Sequence, residues 1–253
     1  MINSTMKNNW VKKTLLSLAI LLFWLGVWYL AAFFVDSSLL LPTPHETLSA
    51  LIALVCTFEF YEVVFYTLIR VLLGLVIGVA VGIILAVLCH RFKVLRDVIN
   101  PIISVIRATP VATFIVLLWV LVSGNSLTVL VAFLMVMPIV WQNALDAFGS
   151  IPKDLVEVAD VYKLSYKRIF EVLVLPVLSR YIYPAVITSV GLSWKSEIAA
   201  EIIAYTKNSI GMHINDAKFY MNTSAVFAWT AVIVVMSIAL EFLTKWLLWR
   251  LQK

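Results

Sequence analysis

The chain has 253 residues, of which 63% are hydrophobic and 13% charged, with a formal net charge of +5. Soluble domains are nearer half apolar and a quarter charged, so composition excludes a water-soluble globule and points to an all-α integral membrane protein. The positive excess is read as the Lys/Arg asymmetry of membrane loops rather than as a nucleic-acid surface. The two distant cysteines, Cys56 and Cys89, suit neither a metal site nor a redox pair.

In chain order, a basic start carrying Lys7, Lys12 and Lys13 leads into an apolar run over 14–35. That run is too long for the core of a cleaved signal and reads as an uncleaved first span. Residues 39–53 read as an extended stretch and a short outer helix, with Thr43 as its cap, Pro44 in its first turn and Glu46 at its positive end. The second span is expected over 63–89. There Gly74, Gly78 and Gly82 share one helix face and let another helix approach closely, within one subunit or across a subunit interface. Further spans are expected over 99–122, 127–147, 178–205 and 223–249, with Pro110, Pro138 and Pro184 placed to bend theirs.

Charge sorting orients these six spans. The start, Arg91, Lys93 and Arg96, then Lys153, Lys163, Lys167, Arg168 and Arg180, and finally Lys245, Arg250 and Lys253 fall on one face. The other face holds only Lys207 and Lys218, while Arg70, Arg107 and Lys195 fall within or at the edges of spans. The rich face is cytoplasmic by the positive-inside rule, which puts both termini and the polar interruption at 150–176 there. No internal repeat is visible, which weakens an inverted-repeat secondary transporter.

The 150–176 loop has its own helical period. Pro152 opens a short helix with Asp154 and Glu157 near its start, and Leu155, Val158, Ala159 and Tyr162 form one apolar stripe. Ser165 can cap a second helix that Ile169, Val172 and Leu173 line on its inner face, leading into Pro176. Two uses fit: an amphipathic helix lying on lipid, or a knob that enters a cleft in a soluble subunit.

Glu157-Val158-Ala159, Phe170 and Val174-Leu175-Pro176 resemble the EAA signature of ABC importer permeases, including the nineteen-residue step from Glu157 to Pro176. Two positions depart from it: Val158 replaces the middle alanine, and Lys163 replaces the glycine of the turn. A lysine there needs a left-handed backbone, costing of order 1 kcal/mol, or another turn. The resemblance extends over nearly the whole chain and is nearest the nitrate/sulfonate/taurine/bicarbonate branch. It rests on Leu41-Pro42-x-Pro44, Thr67-Leu68-x-Arg70, the glycine series, Asn100-Pro101, Arg107-x-x-Pro110, Gly191-Leu192-Ser193-Trp194-Lys195, Ala199-Ala200-Glu201 and Ser209-Ile210-Gly211. It implies a single transmembrane domain over 1–253 with the type I permease fold, in the bacterial inner membrane. It also implies a second permease copy, like or unlike, two cytoplasmic ATPase subunits that receive the loop helix and an outer solute-binding protein. Within the loop, Glu157, Ala159, Asp160, Tyr162, Lys163, Phe170 and Pro176 are the residues expected to couple to the ATPases.

Arg107, Lys195, Glu197 and Glu201 are the ionisable groups expected at membrane depth, where they either knit helices or line the path. Glu197 and Glu201 share one face of the fifth span, and depth along the helices argues against an Arg107–Glu201 pair. Trp194 and Tyr205 serve as gates or as packing. His45, His90 and His213 are isolated, so no metal is expected. The chain has no G-x-x-x-x-G-K-[ST] loop, so ATP and its magnesium belong to a partner and the chain itself is not an enzyme. The alternatives are a proton-coupled secondary transporter using Glu197 and Glu201, and an intramembrane enzyme, for which H-E-x-x-H and G-x-S-x-G frames are missing. Within the importer reading, a small anion is the expected solute, with a thiamine-precursor pyrimidine as the other candidate.

Overall fold

The computed structural model describes residues 2–122 and 124–251, and side chains from Leu15 to Arg250 apart from Ser123 and Lys153. Five of the charges that orient the chain (Lys7, Lys12, Lys13, Lys153 and Lys253) therefore lie outside the described side chains. The helices are α1 (Ile2–Val35), α2 (Pro44–Val55), α3 (Phe58–Arg91), α4 (Lys93–Ala108), α5 (Val111–Leu121), α6 (Asn125–Gly149), α7 (Lys153–Val161), α8 (Tyr166–Ile169), α9 (Leu175–Ala204), α10 (Ile210–Phe219) and α11 (Thr223–Leu251). Five stretches are long and apolar enough to cross a membrane, and α4 with α5 makes a sixth if that bent pair counts as one. No strand occurs among the described residues.

The span expected over 99–122, bent at Pro110, takes the form of this pair, broken there rather than merely bent. Helix α4 starts earlier, at Lys93, and the chain turns through 109° before α5. Pro110 supplies no N–H and its ring disfavours helical backbone at the residue before it; Thr109 accordingly takes φ −80° and ψ 130°. With 11 residues, α5 rises only about 16 Å. Helices α6 and α9, by contrast, run through Pro138 and Pro184 without a break.

Backbone contacts divide the chain into two units, Met1–Phe60 with Ile214–Val232 and Tyr61–His213 with Ile233–Lys253. In the first, α1 exposes Leu15, Leu18, Leu21, Leu22 and Phe23 around its circumference, as a helix facing lipid does. The Trp28 indole donates to the Pro42 carbonyl at 3.0 Å and its ring packs on Phe227. Helix α2 opens with a capping box: the Glu46 N–H donates to the Thr43 hydroxyl at 3.4 Å, and the Thr43 N–H donates to the Glu46 carboxylate at 2.8 Å. That N–H, then the hydroxyl, holds the Glu46 carboxyl below the usual carboxylate range.

In the second unit α6 is the enclosed helix, burying Val131, Val136, Val140, Trp141 and Ala144 among others. Helix α3 lies against it through the glycine series. A Cβ at Gly74 would stand 2.5 Å from Ala132 Cβ, one at Gly78 2.7 Å from Val136 Cβ, and one at Gly82 3.0 Å from both Val140 Cβ and the Met137 carbonyl. The close-approach face thus packs inside this chain. Ala86 and Cys89 of α3, Ile103 of α4 and Ile182 of α9 complete one core around α6, while Ile115 of α5 and Ala200 of α9 join Leu127 and Val131 in another.

Candidate coupling loop and translocation path

Helix α7 ends on a left-handed residue. Lys163 has φ +50°, and the Leu164 N–H donates to the Ala159 carbonyl at 3.0 Å, closing a Schellman turn without the glycine that usually makes it. The Ser165 hydroxyl then accepts from the Arg168 N–H at 3.4 Å and starts α8. Helix α8, a π-helical stretch over Phe170–Val174 and α9 run on unbroken from Tyr166 to Ala204. The π turn follows from Pro176: lacking an N–H, it cannot continue the α pattern, and the Leu175 N–H reaches back to the Phe170 carbonyl instead.

The loop's apolar stripe is open. Leu155, Val158 and Tyr162 are exposed, as are Glu157 and Asp160; Phe170 and Pro176 are also exposed, and only Ala159 of this group is buried. Such a stripe is a surface built to be covered.

At the far end of α9 a buried clasp forms. The Glu201 carboxylate, wholly enclosed, accepts from the Arg70 guanidinium at 3.0 Å, from the Thr67 hydroxyl at 2.8 Å and from the Gly211 N–H at 3.1 Å. Arg70 in turn donates to the carbonyls of Lys207 (3.0 Å) and Asn208 (3.2 Å), so one guanidinium ties α3 to α9 and to the 205–209 turn. That turn has left-handed residues at Tyr205 and Asn208. Gly211 is required by the closeness of the backbones, since a Cβ there would meet Glu201 and the Ile202 nitrogen, the latter at 2.5 Å. In the sequence Arg70 stands as a charge inside a span and within the Thr67-Leu68-x-Arg70 stretch, neither of which names its partner. The available signal was the three-residue step from Thr67 to Arg70, which puts both on the side of α3 that also carries Gly74.

Glu197, one turn before Glu201, is also fully buried, and neither of its oxygens has a hydrogen-bond partner among the described residues. Its neighbour Thr128 on α6 directs its hydroxyl to the Asn125 carbonyl at 3.1 Å. Trp194 is fully buried with its indole donating to the Ile233 carbonyl of α11 at 3.1 Å, a strut between two helices, while Lys195 is exposed.

Arg107 stands apart from all of these. With Thr109, Val111, Met135, Pro138 and Leu192 it lines a cavity of about 280 Å³ between the α4–α5 bend and helices α6 and α9. Arg107 has no ion pair among the described residues. The structure therefore buries Glu197 and Glu201 one turn apart on α9, while Arg107 and Lys195 are exposed and, among the described residues, pair with neither. No cluster of His, Cys, Asp and Glu among the described residues could hold a metal ion.

Comparison with known proteins gives one consistent answer. The family model described as binding-protein-dependent transport system inner membrane component matches residues 78–253. The taurine transport system permease protein TauC of Escherichia coli is 25% identical over 237 residues, covering 91% of this chain and 86% of its own. The putative aliphatic sulfonates transport permease protein SsuC of Bacillus subtilis is 24% identical, with 89% and 81% covered. A nitrate import permease protein NrtB of Synechococcus elongatus is 32% identical over a shorter stretch, 49% of this chain and 45% of its own. Among solved structures, an inward-facing MetNI methionine ABC transporter matches with a TM-score of 0.55 at 15% identity, over 74% of this chain and 92% of that one.

Proposed function

The chain belongs to the family of binding-protein-dependent transport system inner membrane components, and from that premise we propose how its parts divide the work of an ABC importer. Helices α3 to α11 form the path, in a dimer with a second permease copy. The 150–176 loop and both termini face the cytoplasm, where α7 seats its exposed Leu155–Val158–Tyr162 stripe in an ATPase subunit. Each of two such subunits binds and hydrolyses ATP with magnesium, and a solute-binding protein delivers cargo from outside. Closure of the ATPase pair pulls on α7, and the continuous helix from Tyr166 to Ala204 carries that motion to the path.

The cargo is a small oxyanion of the sulfonate or nitrate kind, as the names of the relatives suggest. The observation that carries this is Arg107, a cation with no ion pair in a cavity otherwise lined mainly by apolar side chains. Glu201 is engaged by three donors, which leaves a Glu197–Glu201 proton relay without its second free carboxylate. The test is ATP-driven uptake of labelled taurine, nitrate and a hydroxymethylpyrimidine into proteoliposomes with the cognate binding protein. Anion uptake lost in Arg107→Gln, with the complex still assembled, supports the assignment; unchanged uptake overturns it.

A further inference from the structure

Away from the path, the end of α3, the start of α4 and the end of α6 enclose a second cavity of about 570 Å³. His90, Lys93 and Arg96 line it together with one carboxylate, Asp146. Lys93 and Arg96 are three residues apart on α4 and project from one side of it. Both are exposed, and neither has an ion pair among the described residues. The His90 ring packs on Phe148 with centroids 5.1 Å apart, which fixes that wall, and Asp146 Oδ1 accepts from the Gln142 amide at 2.8 Å. No side chain caps the first turn of α4. The cavity sits where the apolar runs of α3 and α6 stop. A cationic recess at the depth where the spans end stands level with lipid headgroups, whose phosphate suits the two cations.

We propose that this cavity is a phospholipid headgroup site, with the phosphate held between Lys93 and Arg96 and the ammonium of an ethanolamine headgroup facing Asp146. The mixed charge of the lining favours that zwitterion over a glycerol headgroup, which offers the carboxylate nothing cationic. Gly149 and Ser150 also line the cavity, so an occupied site ties the α3–α4 corner to the root of α7 and braces the loop that takes force from the ATPases.

The test uses the assembled importer in detergent, its thermal unfolding midpoint followed against dioleoylphosphatidylethanolamine, dioleoylphosphatidylglycerol and free O-phosphoethanolamine. The ethanolamine lipid is expected to raise the midpoint saturably and more than the glycerol lipid. The double variant Lys93→Gln/Arg96→Gln should bind at least about tenfold more weakly, Asp146→Asn should erase the headgroup preference, and Lys218→Gln, at the end of α10, should behave as wild type. A double variant that responds like wild type overturns the site, and an Asp146→Asn variant that keeps the preference overturns the ethanolamine assignment. Saturation by the free headgroup with no gain from the lipid overturns the lipid as source. If the double variant does not assemble, native mass spectrometry of the wild-type complex decides: retention of phosphatidylethanolamine over phosphatidylglycerol supports the site, and equal loss of both overturns it.

Discussion

Glu201 is held by three donors, two from α3 and one from the start of α10, and this makes its neighbours unequal under substitution. Arg70→Met leaves a buried carboxylate with only Thr67 and Gly211, and is expected to cost about 3–5 kcal/mol, whereas Arg70→Met with Glu201→Leu should cost much less than the two single changes together. Denaturant unfolding of the purified complex checks this; additive losses would contradict the clasp. Gly211→Ala should cost about 1–3 kcal/mol by overpacking against Glu201. In the first unit, the lowered Glu46 carboxyl makes the start of α2 acid-sensitive. Its contribution is present above the ordinary carboxylate range, about pH 4.3, and is lost as pH falls through the lower folded value. Glu46→Gln should remove that acid dependence in amide exchange of α2. Arg70 was hard to recognise in sequence because its role depends on Glu201, 131 residues away; the Thr43 cap of α2 is local and legible from its spacing, while the return bond from the Thr43 N–H to the Glu46 carboxylate, which completes the capping box, comes from the structure.

At the scale of elements, the turn after α7 works with a lysine where a glycine is usual. Lys163→Pro cannot take the observed φ of +50° and loses the N–H that donates to the Asp160 carbonyl at 3.0 Å. It should uncouple binding-protein-stimulated ATPase activity while leaving membrane insertion intact. Gly78→Leu should separate α3 from α6 and lower the unfolding midpoint more than Gly26→Leu, where an added Cβ meets nothing within 4 Å. The spans and the loop helices were readable because apolar period and caps are local signals. The 109° turn at Thr109–Pro110 and the π stretch before Pro176 were not. A proline announces a disturbance, but its neighbours' packing decides whether the helix breaks, as at Pro110, or continues, as at Pro138 and Pro184.

At the scale of the whole molecule, the account rests on one mechanical connection: an exposed apolar knob on α7, a left-handed hinge, and an unbroken helix from Tyr166 to the clasp at Glu201. The glycine-packed pair of α3 and α6 supplies the rigid surroundings that such a lever needs. The most direct measurement is ATP hydrolysis stimulated by loaded binding protein in proteoliposomes, compared with solute uptake, for the complex carrying Val158→Asp with Glu157→Lys. The account predicts that stimulation and uptake fall together by about tenfold or more, equivalent to ~1.4 kcal/mol or more of lost docking and coupling. Wild-type stimulation and uptake in that variant would contradict it.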